Sequence, residues 1–360
     1  MQRAFRKKDL PLDALYQAAF AGGSEPPEGP MGNAWETWLY NQIVTLEGMQ
    51  LGDGSWPWTP NGTSDYYMTA YAVWALNQVH AAGFRFNEDS AREGREFLLD
   101  TLVEKEFSPN EQVWILHALA SRFSRATSGR PTRVETEAFS NLWKNRDFLD
   151  SFGMALLART AAFYGFGQET EILANNLSNG VIRSTSGDGK PLVRWAPGNR
   201  SLQFAQSRPE TSALVLNTLS QLKPASKWLD PAHRWVLRSR QASGWRNTRE
   251  TTFGLLGLAA FFIQEPDGKK STDLEVIWNG ETLSQAGEKN FSDSLSRLKF
   301  SVDPESLVDG ANTFAIQASE AGHRFYYRAT LRYFTLEEPI SAAGDRLQLA
   351  RSFDHLKPRQ

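Results

Sequence analysis

The side chains able to do chemistry are few and poorly spaced for it. Five histidines, His80, His117, His233, His323 and His355, are the only imidazoles in 360 residues. No two stand four apart, and no HExxH pair occurs, so the spacing that sets two ligands over one zinc ion is missing. There is no cysteine, which removes thiol nucleophiles, disulfides and thiolate metal sites. No serine sits in a GxSxG elbow, and no glycine-rich phosphate loop follows a strand pattern. Asn61, Asn176, Asn199 and Asn290 head N-x-S/T triplets at chance frequency. Among the carboxylates, Asp53, Asp65, Glu210 and Glu250 all stand at turns or helix starts. That placement predicts capping of free backbone N–H groups. No catalytic residue, cofactor or metal ligand is assigned, and the chain reads as a non-enzyme.

The turns that hold these carboxylates share a plan. In MQLGDGSWPWTPNGTSDYYMTAYAVWAL a helix ends near Gln50, and Asp53-Gly54 forms a tight turn. Trp56 and Trp58 close it, and a second helix starts at Ser64 or Asp65. Met68, Tyr71, Ala72, Ala75, Leu76 and Val79 then repeat at the i, i+3, i+4 spacing of one buried helical face. A looser copy surrounds Trp195, in PLVRWAP followed by SRPETSALVLNTL. Another surrounds Gly244-Trp245, in SGWRNTRETTFGLLGLAAFF. A recurring helix–turn–helix unit cannot bury its apolar face alone and must stack on its neighbours. The irregular spacing favours helical hairpins wrapped into a closed ring. Trp56 and Trp245 are expected to plug the joints.

Hydrophobic content of 41% and charge of 22% are ordinary for a globular protein. A net charge of −2 argues against a basic nucleic-acid surface. No apolar run is long enough to cross a bilayer, and the basic N-terminus lacks the apolar core of a signal peptide. Residues 1–20 predict one amphipathic helix, and 21–33 a Gly/Pro-rich linker. Helices are expected at 34–50, 65–82, 89–104, 109–125, 133–144, 147–165, 168–178, 209–222, 229–241 and 248–264. Ser108-Pro109-Asn110-Glu111 reads as a capping box, and Ser207 with Glu210 and Asn247 with Glu250 repeat it. Leu116, Leu119, Ala120 and Phe123 line one face of their helix. Helix 248–264 is apolar nearly all round, which predicts deep burial. A small hairpin is expected between Val181 and Pro197, with Gly187-Asp188-Gly189 at its tip.

After Pro266 the hydrophobic period changes from 3.6 to 2. Leu274, Val276 and Trp278 alternate before Asn279-Gly280, a strong hairpin signal. Leu298, Phe300 and Val302 alternate next. Asp309-Gly310 forms a turn, and strands follow at 313–319 and 323–335. The fold class is therefore mainly α: an α/α toroid at 34–266, then a small antiparallel β-sandwich-like domain at 267–342.

Several segments, in order, resemble the bacterial alpha-2-macroglobulin family. They are MQLGDGSWPW with SDYYMTAYAVWALNQVHAAGF, then NRDFLDSFGMALLARTAAFYG, RPETSALVLNTL and VLRSRQASGWRNTRETTFGLLGLAAF. The resemblance implies the thioester (complement-like) domain of that family, an α/α toroid, from about Ala34. DLEVIWNGETL and LVDGANTFAIQASEAGHRFYYRATLRYF resemble the β-domain that follows it, and 343–360 the start of a further macroglobulin-like domain. The implied function is the C-terminal portion of an endopeptidase inhibitor, a protease trap of the cell envelope, extracytoplasmic or periplasmic. The implied partners are proteases or upstream macroglobulin-like domains. One departure is large. The family's Cys-x-Glu-Gln thioester has no counterpart in a chain without cysteine, so the expected capture is non-covalent. Gln50, Asp53, Gly54, Trp56, Trp195, Glu210, Gly244, Trp245 and Glu250 stand as structural-motif residues. The alternative starts from Gln50–Trp56, which also resembles the Q-x-x-x-G-x-W signature of terpene cyclases. It makes the chain an α/α-toroid enzyme of the terpene-cyclase or polysaccharide-lyase class. The DxDD or DDxxD acids of the cyclases are absent.

Overall fold

A computed structural model describes residues 31–104, 106–124, 130–198, 207–241, 244–264, 274–283, 302 and 304–318. The expected helix at 1–20, the strand at 323–335 and the tail lie outside them. Ten α-helices occur among the described residues. They are α1 (Met31–Gly48), α2 (Tyr66–Ala81), α3 (Glu88–Glu104), α4 (Pro109–Ala120) and α5 (Arg133–Lys144). There follow α6 (Ser151–Tyr164), α7 (Gly167–Asn179), α8 (Arg208–Leu222), α9 (Leu229–Arg238) and α10 (Thr248–Gln264). Among the described residues the first helix already covers Met31, inside the expected linker, and Gly32 does not interrupt it; one Gly costs a helix only about 1 kcal/mol against Ala.

Local chemistry sets most helix starts. Asp65 caps α2 by accepting the Met68 N–H. Ser108 with Glu111 and Ser207 with Glu210 form complete capping boxes. Asn247 accepts the Glu250 N–H, but Glu250 returns its carboxylate to the N–H of Arg246 instead of closing a box. Two helices are shorter than their pattern. Asp150 caps α6 by accepting from Gly153, so the helix starts at Ser151, and Arg146–Phe148 winds as a 3₁₀ turn. After Ala120 the chain tightens into a 3₁₀ turn, Ser121–Ser124, with Ser121 Oγ bonded to the Ala118 carbonyl.

The helices divide into two kinds. α2, α4, α6, α8 and α10 pack consecutively on one another, and α3, α5, α7 and α9 lie between and outside them. The first group is buried on most sides and the second on a stripe. The face expected for α4 is buried at Leu116, Leu119 and Ala120, whereas that expected for α2 is fully buried only at Ala72 and Leu76. Thr69, Ala70, Val73 and Asn77 of α2 are buried, whereas Met68, Tyr71, Ala75 and Val79 are only partly so, because an inner helix has neighbours all round. The closest pairing joins α8 to α10, where a Cβ on Gly257 would lie 2.5 Å from the Ala213 carbonyl oxygen. Between α10 and α2 the contacts are side-chain ones: Trp74 stacks on Phe253 at 5.8 Å, and Arg249 lies 5.8 Å from the Tyr67 ring.

Two small antiparallel sheets complete the described chain. β1 (Ile182–Thr185) and β2 (Pro191–Arg194) form the expected hairpin, and β2 lies on α9. β3 (Leu274–Trp278) is central in a three-stranded sheet between β4 (Glu281–Thr282) and β5 (Phe314–Ala318). Asn279 and Gly280 both take positive φ, 49° and 88°, the conformation a two-residue hairpin needs. Asn279 also accepts the Thr313 N–H at 2.7 Å, tying the turn to β5. Among the described residues, no helix is long and apolar enough to cross a membrane.

Candidate functional site

Two tryptophans repeat one geometry at the joints between helices, and a third varies it. The indole N–H of Trp56 donates to the Leu46 carbonyl in the last turn of α1 at 2.7 Å. Its backbone N–H donates to Thr69 Oγ1 of α2 at 2.9 Å. Trp195 does the same between α7 and α8: its indole donates to the Leu177 carbonyl at 2.7 Å and its backbone N–H to Ser212 Oγ at 3.1 Å. The Trp245 indole donates to Ser239 Oγ, at the end of α9, at 3.0 Å. The rings of Trp56 and Trp245 each fill a gap that a methyl group would close. A Cβ on Gly94 would meet Trp56 at 2.7 Å, and one on Gly254 would meet Trp245 at 2.8 Å. Burying an indole requires a partner for its N–H, and a helix end supplies carbonyls that lack one.

The turns are held from both sides. Gln50 Nε2 donates to the Gly54 carbonyl at 3.0 Å and to the Ser90 carbonyl of α3 at 2.9 Å. Asp53 accepts from the N–H and hydroxyl of Ser55, and from the Ser64 hydroxyl. Burial pushes its carboxyl up, but these hydrogen bonds outweigh it and hold the group below the usual carboxylate range. Gly54 takes φ +83°, and a Cβ there would lie 2.6 Å from the Glu93 carbonyl oxygen. Gly244 takes φ +142° just before Trp245. Trp58, by contrast, is 52% exposed and stacks on Tyr67 at 5.9 Å.

Glu210 is the most enclosed of the predicted carboxylates. It closes the α8 capping box and accepts from Arg249 Nε at 3.1 Å. Burial pushes its carboxyl up, and Arg249 limits the rise without reversing it. Arg249 also faces Tyr67, whose neighbours Trp58 and Trp114 complete an aromatic patch where the inner helices begin. Burial pushes the Tyr66 hydroxyl up, helped by its bond to Glu111 of α4. Every carboxylate here is engaged by a cap, a hydroxyl or a guanidinium, so the arrangement fastens helices and leaves no acid poised over an apolar cavity. Among the described residues, no group of three His, Cys, Asp or Glu could hold a metal ion. A shallow groove of about 230 Å³ lies elsewhere, between α5 and α7, lined by Phe139, Trp143 and Phe166.

Sequence reasoning missed two polar clusters. Glu135 of α5 is fully buried, takes both Arg122 Nη nitrogens at 2.7 Å, and accepts the Tyr164 hydroxyl at 3.0 Å. Its signal was present: Thr132 and Glu135 form a capping box. The second cluster, Arg159 with His117 and Asn217, joins three helices, with Arg159 lying 42 residues from His117 and 58 from Asn217 in sequence, and no local pattern announces it.

The class defined by these observations is a mainly helical protein of layered hairpins with small antiparallel sheets. No family model and no curated protein matches the chain. Its structure is similar to bacterial alpha-2-macroglobulins. Against the Salmonella protein reacted with methylamine, the TM-score is 0.53 at 16% identity, covering 75% of this chain and 17% of that one. Against the native Escherichia coli protein, the TM-score is 0.50 at 19% identity, covering 73% and 16%. The chain thus spans about a sixth of the length of these proteins. At this identity the likeness is one of fold.

Proposed function

We propose that this chain is the toroid and following β-unit of an alpha-2-macroglobulin-like protease trap, acting without covalent chemistry. One observation carries the reading. Consecutive inner helices pack on each other while outer helices alternate between them, with a tryptophan fastening each of three joints. That order supports a ring, and the fold likeness to bacterial alpha-2-macroglobulins supports its place in such a protein. The motif residues Gln50, Asp53, Gly54, Trp56, Trp195, Glu210, Gly244, Trp245 and Glu250 serve as fasteners of the ring. Partners are a protease and macroglobulin-like domains, in an extracytoplasmic or periplasmic setting. The toroid-enzyme alternative has less support, because Glu210, the enclosed acid it would use, is held by Arg249 and by its own cap.

The neighbouring Salmonella structure is of a protein reacted with methylamine. This chain, with no cysteine, should keep its intact mass after methylamine treatment. Trypsin and elastase blocked at their active sites, titrated into the chain and followed by sedimentation, should form a complex that denaturant dissociates. Absence of any complex removes the trap role. A denaturant-stable adduct overturns its non-covalent character.

A further inference from the structure

Residues seven apart on a helix lie on nearly the same side, two turns or about 10.5 Å apart. The inner helices use that interval to build layers. Tyr67 of α2, with Glu210 of α8 and Arg249 of α10, forms the first layer. Seven residues on from Tyr67, Trp74 meets Phe253, and Phe253 meets Phe152 of α6 at 5.4 Å. Trp114 of α4 joins this aromatic layer at 6.0 Å from Trp74. The next step brings in polar groups. Arg159 is seven residues after Phe152, Asn217 seven after Glu210, and Gln78 four after Trp74. Arg159 donates to Asn217 Oδ1, and its guanidinium lies 5.6 Å from the Phe163 ring. His117 stacks on the same ring at 5.7 Å.

Arg159 is poorly matched in this layer. A guanidinium carries five N–H donors, and only one is used within the described residues. Its acceptor is a neutral amide oxygen that also receives Gln221 Nε2 at 3.1 Å. No carboxylate among the described residues pairs with it, whereas Arg122 and Arg249 each clasp a buried glutamate. Burial pulls the guanidinium pKa down to about 10. His117, desolvated and facing Arg159, is held neutral far below the usual imidazole range. Gln78 Nε2 is buried with no partner. Arg159 is half-buried rather than sealed, so its spare donors stay within reach of a ligand, whereas the unpaired Gln78 amide is enclosed, which costs stability.

We propose that the C-terminal end of the inner helix layer is a carboxylate-binding site built on Arg159. A carboxylate presents two oxygens in one plane and fits the guanidinium fork side by side. Gln221, bonded to the same Asn217 oxygen, offers a further N–H donor from α8, and the neutral His117 adds no second positive charge. A dianionic phosphate would call for another cation, and none of the described residues provides one beside Arg159. The site does not depend on the trap reading or on closure of the ring.

Calorimetric titration at low salt with a capped oligoglutamate peptide, its oligoglutamine counterpart and free succinate tests this. At least one carboxylate probe should bind saturably, and oligoglutamine should not. Binding of the peptide alone identifies an acidic protein segment as the source, and binding of succinate alone a small free acid. Arg159→Gln should weaken the interaction by about tenfold or more, the worth of one charge-assisted pair. Arg159→Lys, keeping charge but not the fork, should recover only part of it. In the absence of probe, Arg159→Gln should melt close to the wild-type temperature, because the half-buried guanidinium makes a single hydrogen bond within the described residues. The proposal is overturned if neither carboxylate binds saturably, if Arg159→Gln binds as well as wild type, or if that variant fails to fold.

Discussion

At the scale of single residues, buried polar groups sort by what they do for a neighbour. Trp56 is 1% exposed and bonds to two helices, while Trp58, two residues on, is 52% exposed. Trp56→Ala should therefore cost about 3–5 kcal/mol, measured as a shift in urea midpoint, and Trp58→Ala much less. Equal small effects would remove the plug role. Glu135 makes a second prediction, in pH. Burial raises its carboxyl, but Arg122 and the Thr132 cap outweigh burial and hold it below its ordinary value of 4.5. A depressed folded pKa contributes stability that is complete above the unfolded value and is lost as pH falls through the folded one. Unfolding measured from neutral pH down should show that loss below about pH 4.5, and Glu135→Gln should flatten it. The same variant should cost about 1–3 kcal/mol at neutral pH, because it removes the charge to which two Arg122 nitrogens bond at 2.7 Å. A variant as stable as wild type, with an unchanged acid limb, would show that the pair does not contribute. Glu210 runs the other way: its raised carboxyl favours folding below the unfolded value and opposes it as pH rises.

At the scale of elements, what was legible in the sequence was what is local. Ser108-Pro109-Asn110-Glu111 names a helix start because every group in the cap lies within four residues. Asn279-Gly280 names a turn because both residues tolerate positive φ. The starts of α6 and the end of α4 were misjudged because apolar periodicity continues across Arg146–Leu149 and past Ala120, while Asp150 and Ser121 decide the boundary by hydrogen bonding. Burial of α2 was only partly legible for another reason. Periodicity reports one partner, and an inner helix has several. The Trp joints were visible as a recurring Gly–Trp–helix order, but the partner carbonyls of Leu46 and Leu177 were not, since they depend on where the preceding helix stops. The α8–α10 contact was equally hidden, because Gly257 and Ala213 are simply small. Gly257→Ala would place a methyl 2.5 Å from the Ala213 carbonyl oxygen. It should cost about 1–3 kcal/mol through overpacking, read as a lower urea midpoint. Gly187→Ala, with nothing within 4 Å of the added carbon, is the control and should stay within about 0.5 kcal/mol.

At the scale of the molecule, two kinds of packing follow one another along the chain. The helices share one apolar core that runs from Trp56 to Phe261. The sheet β4-β3-β5 has its own small interior around Val276, and among the described residues it makes no extensive contact with any helix. The hydrophobic period changes at Pro266, between α10 and β3, and we propose a domain boundary there. Units with separate cores unfold separately unless a large interface couples them, and connecting segments with few buried groups are the first places a protease cuts. The segment between Gln264 and Asp273 reads EPDGKKST, with two lysines suited to trypsin. Limited trypsin digestion should therefore cut first at Lys269 or Lys270, and intact mass should identify two products that persist. The larger should keep the helical far-ultraviolet dichroism of the whole chain and one cooperative melt. If the earliest cuts fall instead within α2–α10 or between Leu274 and Ala318, the helices and strands form a single cooperative body, and the boundary near residue 266 is not a domain boundary.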